Sequence, residues 1–112
     1  MKTVKYILFS IISSISLWLC IDGFNHIIAE INHRSGYIQK ERGYPRIANI
    51  SYKKAVDLMP WENHYRLQLA KSYEDSAKKI PDQHNHFTNL AIKEYETLIK
   101  KDPMNPWFKA RL

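Results

Sequence analysis

The sequence predicts an all-α protein, in which one N-terminal hydrophobic helix crosses a membrane and leads into antiparallel helix pairs. Three observations carry this. Tyr6 to Ile21, YILFSIISSISLWLCI, contains no charged residue. From Pro45 to Leu112 there is no glycine, and Leu, Ile, Ala, Lys and Glu recur at helical spacing, which argues against a strand-and-turn protein. Two later stretches also repeat one set of intervals, each closed by a proline.

The uncharged stretch comes first. Sixteen residues of helix span about 24 Å, short of the ~30 Å hydrocarbon core, and Gly23 and Phe24 extend it at the cost of placing Asp22 near the interface. A lipoprotein signal needs a small residue before its cysteine, but Leu19 precedes Cys20. Cleavage after a signal peptide needs a small-x-small pattern beyond the apolar core, and Ser14-Ile15-Ser16 lies inside it. An uncleaved signal anchor over residues 1–24 is therefore favoured. Lys2, Lys5 and the amino terminus precede the span, while Arg34 is the first Lys or Arg after it. The positive-inside rule puts the remainder outside the cytoplasm, although Arg34, Lys40, Arg42 and Arg46 weaken the asymmetry. The lone Cys20 excludes an internal disulfide and reads as a small buried hydrophobe.

Residues 25–47 read as a helical extension and linker. Phe24, Ile27, Ile28 and Ile31 continue at helical spacing, so the anchor helix should run on beyond the membrane.

Residues 48–112 carry the repeat. Ala48, Tyr52, Ala55 and Pro60 are four, three and five residues apart, and Ala91, Tyr95, Leu98 and Pro103 repeat those steps. Steps of four and three keep side chains on one helical face, and proline ends the helix. The segments that each proline opens also correspond: in PWENHYRLQL and PMNPWFKARL, Tyr65 matches Phe108, Arg66 matches Lys109 and Leu69 matches Leu112. Asn63 and Asn105 are predicted N-caps, with Pro106 at a first helical position. Pro81 and Asp82 mark the meeting of two lengthened helices.

These residues resemble the tetratricopeptide repeat, whose pattern is W-x₂-L-G-x₂-Y, A-x₃-F, P. Leu69-Ala70-x₂-Tyr73 is similar to the first part, Ala48-x₃-Tyr52 and Ala91-x₃-Tyr95 to the second, and Pro60 and Pro103 to the close. Arg66 replaces the tryptophan, and the prolines are 43 rather than 34 residues apart. The resemblance implies an α-solenoid fragment in which small alanines allow close helix approach and tyrosines fill the space beside them. LMPWENHYRLQLAKSYE and AIKEYETLIKKDPMNPWFKARL also resemble the extracytoplasmic repeats after the last membrane helix of bacterial O-antigen ligase/polymerase-like proteins. That resemblance implies a place in cell-envelope polysaccharide assembly. Its alternative form is a truncated or separately encoded tail of such a transferase, inactive alone, since the multi-span domain holding the chemistry is absent from this sequence.

Other function classes have little support. A net charge of +6, from 17 basic and 11 acidic residues, is interleaved along the chain as on a solvated helical surface, without a nucleic-acid motif. Lys53-Lys54, Lys78-Lys79 and Lys100-Lys101 read as late helical pairs that favour the negative end of the helix dipole. His84 and His86 are two apart and diverge on a helix, and no His-Glu-x-x-His pattern accompanies them or His64. No nucleophile elbow occurs, and Glu94 and Glu96 read as solvated. No enzyme, cofactor, metal or small-molecule substrate is expected.

The expected activity is protein–protein interaction. The concave face of a solenoid is lined by the first helix of each pair, so Arg66, Gln68, Lys71, Glu74 and Trp107 are the candidate partner face. The expected partner is another protein, with a polytopic membrane protein and a second copy of this chain as the options. The apolar Trp107, Phe108 and Leu112 suggest an unfinished core that packs on residues 82–101 or on such a copy.

Overall fold

A computed structural model describes residues 1–110 and contains five α-helices, with no strand among the described residues. They are α1 (Lys2–Glu41), α2 (Pro45–Leu58), α3 (Asn63–Lys79), α4 (His84–Lys101) and α5 (Pro106–Ala110), with a 3-10 turn over Pro81–Gln83 before α4. The expected match of Leu69 with Leu112 lies outside the described residues.

Helix α1 accounts for the shape of the molecule. Forty residues at 1.5 Å each make a rod of about 60 Å in a body 69 Å long. No proline interrupts it, and the predicted linker is continuous helix as far as Glu41. By length and composition α1 could cross a membrane, and the apolar window that qualifies it is wholly exposed. Cys20 lies in this projecting part and is exposed rather than buried, because no other element reaches it.

The first turn stops α1 by backbone geometry. The Gly43 amide donates to the Lys40 carbonyl (3.1 Å), and the Tyr44 amide to the Gln39 carbonyl (2.9 Å). This is the Schellman pattern, which requires a left-handed residue, and Gly43 supplies φ +84°. Pro45 then opens α2 at a position where its missing N–H is not needed.

The later turns are proline stops. Met59, Ile80 and Asp102 each leave helical geometry (ψ 71°, 82° and 75°) immediately before Pro60, Pro81 and Pro103. Proline crowds the residue before it and cannot donate the next helical bond, so all three helices end in the same way. Asn105 Oδ1 accepts from the Trp107 amide (3.0 Å) ahead of Pro106. At α3 the expected cap is corrected: Glu62 occupies that position and accepts from the His64 amide (3.3 Å), so Asn63 is already helical. Lys53 and Lys54 are also not in the last turn of α2, and Lys53 instead pairs with Asp57 at 2.9 Å.

Successive helices pack on one another in chain order, α1 on α2, α2 on α3, α3 on α4 and α4 on α5. Arg66 meets Glu94 and Tyr73 stacks on Phe87 (6.4 Å), so α3 and α4 run in opposite directions. Ser35 meets Ser51, and the Gly36 backbone lies against the Tyr52 ring, which sets the α1–α2 register. The core includes Ala48, Tyr52, Ala55, Leu69, Ala70, Tyr73, Ala91, Tyr95 and Leu98, with Met59, Tyr65 and Phe87. Each of the larger apolar side chains contributes roughly 1.5–3 kcal/mol through burial. Pro60 and Pro103 are exposed in their turns.

Candidate interaction surface

The candidate surface is built on α3 and on the helices beside it. The Tyr65 hydroxyl of α3 donates to Glu30 Oε2 of α1 at 2.9 Å, and the Lys71 ammonium of α3 lies 5.1 Å from the centre of the Trp107 ring of α5. Helix α3 therefore has α1 on one flank and α5 on the other. Arg66, Gln68, Lys71 and Glu74 are all partly buried, and Trp107 is 39% exposed.

Arg66 is committed within the fold. Its Nη1 reaches Glu94 Oε2 at 2.7 Å, and both side chains are about 15% exposed. Glu94 is thus not the solvated carboxylate expected, because α3 and α4 close over it. A pair of this kind needs both members, since removing one leaves the other charge stranded in poor solvent. Arg66 is held in place by Glu94, with little of its side chain left in solvent. Lys71 and Trp107 together present a cation over an aromatic face, and Gln68 lies between Arg66 and Lys71 in sequence.

A second cluster sits where α1, α2 and α3 meet. The His33 ring lies 5.5 Å from Tyr52, 5.2 Å from His64 and 5.2 Å from Tyr65. Burial pushes the His33 imidazole pKa down, and repulsion from His64 adds to this. The Tyr65 hydroxyl, followed by Arg34, holds the Glu30 carboxyl below its ordinary value against some desolvation. Burial and the bond to Glu30 push Tyr65 up to about 12. At neutral pH the cluster is a carboxylate bound by a phenol beside an uncharged imidazole. Next to it a shallow groove of about 460 Å³ is lined by His26, Ile27, Glu30, Ile31, Arg34 and Tyr65. It is open and mixed in polarity, unlike the enclosed apolar pockets that hold small ligands.

The histidines of α4 stand apart. His84 Nδ1 is 3.0 Å from the Ala77 carbonyl, and His86 lies against Phe87. Among the described residues no three metal-capable side chains converge.

Sequence reasoning missed two groups. Glu30 and His33 sit together on α1 but belong to no motif, and His64, 31 residues beyond His33, stands out in the sequence only as a metal candidate. Asn49, Ser72 and Ser76 belong to no motif, yet all three are buried between α2 and α3. Asn49 accepts from the Ser72 hydroxyl and donates to the Ser76 hydroxyl at 2.8 Å. The one available clue was position. Asn49 comes directly after Ala48, and Ser72 and Ser76 come directly before the core residues Tyr73 and Ala77. No protein-family model, curated protein or solved structure matches this chain.

Proposed function

We propose that this chain is a membrane-anchored, extracytoplasmic helical-repeat module that binds another protein, working at the bacterial cell envelope beside polysaccharide-assembly machinery. In this reading the N-terminal half of α1 is the anchor. Its C-terminal half pairs with α2 and α3 pairs with α4 as tetratricopeptide-like repeats, and α5 opens a third. The carrying observation is that one unbroken helix leads from the exposed apolar stretch into the packed body. The burial of every alanine and tyrosine of the repeat pattern is consistent with this. The α3 face with Lys71, Gln68 and Trp107 is the docking surface, and Arg66 contributes the outer edge of its guanidinium.

The same layout, a hydrophobic helix running directly into repeats, also favours the tail of an O-antigen ligase/polymerase-like transferase, which would act only with a separate multi-span domain. Photo-crosslinkers at Gln68 and Lys71 in native membranes test both forms. A discrete adduct at both positions, lost when the probe sits at Lys93 on α4, supports the docking face. A multi-span ligase/polymerase-like protein as the partner in that adduct selects the tail reading, and any other partner protein selects the docking module. A correctly inserted, folded chain that yields no discrete adduct from either position would end the proposal.

A further inference from the structure

We infer that the two turns at the anchor end of the body, Met59–Glu62 and Asp102–Asn105, rest on the lipid interface and form a second membrane contact. This rests on the anchored reading above.

The geometry comes from register. Ser35 of α1 lies opposite Ser51 of α2. Along the antiparallel pair, Met59 falls about level with Ile27, and the turn beyond it reaches back toward Phe24. Ile27 is six residues past the end of the uncharged stretch, about 9 Å along the helix. That stretch is itself about 6 Å shorter than the hydrocarbon core, so a bilayer centred on it extends toward Phe24. The Met59–Glu62 turn thus lies at headgroup depth.

The side chains there suit that depth. Trp61 is 59% exposed and Phe24 63% exposed, neither covered by the body. Tryptophan concentrates at the membrane–water boundary, where its ring enters the acyl edge and its N–H stays wet. The second turn lies alongside, because the Lys101 ammonium donates to the Pro60 carbonyl. It carries Met104 at its tip, 89% exposed. An apolar tip beside an exposed tryptophan, at the end from which the apolar helix leaves, is explained by lipid rather than by water.

Tryptophan emission of the full chain in nanodiscs tests this, since the chain has three tryptophans. A Trp18→Phe/Trp107→Phe variant isolates Trp61, and Trp61→Phe/Trp107→Phe isolates Trp18 in the anchor. Met104→Trp in a chain lacking the other three probes the second turn, and helical circular dichroism checks each fold. The expected result is blue-shifted Trp61 and position-104 emission, quenched more by lipids brominated near the headgroup than near mid-chain. Water-like emission at both positions, with Trp18 quenched by bromolipid, overturns the contact and leaves the anchor standing. Shielding from aqueous acrylamide without bromolipid quenching means protein covers the turns, and also overturns it. If Trp18 itself escapes bromolipid, the anchored reading fails and the contact fails with it.

Discussion

Single residues decide how the body holds together, and Asn49 is the clearest case. Its amide ties together two buried hydroxyls on α3. Asn49→Ala strands both, at a cost of about 1–3 kcal/mol each if unrelieved, so a loss near 2 kcal/mol is expected in chemical denaturation. Replacing Ser72 and Ser76 by alanine in the same chain should recover part of that loss. A null effect of Asn49→Ala would show that the amide is not buried as described. His33 gives the acid limit. Its folded pKa is lowered, so the unfolded chain binds the proton more readily and unfolding takes up protons. Its effect is absent above the ordinary value of 6.5, and stability falls as pH drops through 6.5 toward the folded value. Melting temperature should therefore decline from pH 7.5 to pH 5.5, and His33→Phe should flatten the decline. An equally steep decline in the variant would assign it to other groups. Tyr52 and Tyr65, both raised to about 12, give the opposite limb, with stability lost as pH rises from 10 toward 12.

At the scale of elements, the α1–α2 contact depends on a glycine. A Cβ on Gly36 would lie 2.9 Å from Cγ and Cδ1 of Tyr52, whose ring is held in the core. Overpacking of this kind costs roughly 1–3 kcal/mol. Alanine returns up to about 1 kcal/mol of helix propensity, so Gly36→Ala should destabilise the body by about 1–2 kcal/mol. Gly23, with nothing within 4 Å, is the control, and Gly23→Ala should leave the melting of the body unchanged. The same helix marks what the sequence made legible. Ala48-Tyr52-Ala55 and Ala91-Tyr95-Leu98 lie on one face by spacing alone, and the three prolines punctuate the helices without tertiary information. The inner face of α1 has no such pattern. It uses Ala29, His33, Ser35 and Gly36, a polar and small set that reads as linker until Tyr52 is placed against it. Arg66 and Glu94 were legible as charges but not as a pair, since 28 residues separate them and only the crossing of α3 and α4 joins them.

For the whole molecule, the anchored reading proposed above makes the apolar half of α1 and the body one lever, because α1 is unbroken. A flexible linker would let the body drift, whereas a helix fixes its height at 1.5 Å per residue. Height above the membrane is then set by residue count, and it can be changed without touching the body. Seven polar helix formers (Gln-Glu-Gln-Gln-Lys-Gln-Gln) inserted between Gly23 and Phe24, which the hydrocarbon core does not take up, add about two turns, raising the body by roughly 10 Å and rotating it by only about 20°. The packed core begins at Ala29 and should melt as before. Trp61, alone as a probe, should shift to water-like emission and lose bromolipid quenching in nanodiscs, while Trp18 keeps its own. A single inserted alanine lifts the turns only about 1.5 Å but swings them by about 100°, and Trp61 should stay in reach because rotation about a near-normal axis preserves depth. Persistent lipid contact after the long insertion would mean that the turns are drawn to the bilayer by their own affinity, with α1 bending to allow it. Loss of contact after the long insertion alone would identify the unbroken helix as the ruler.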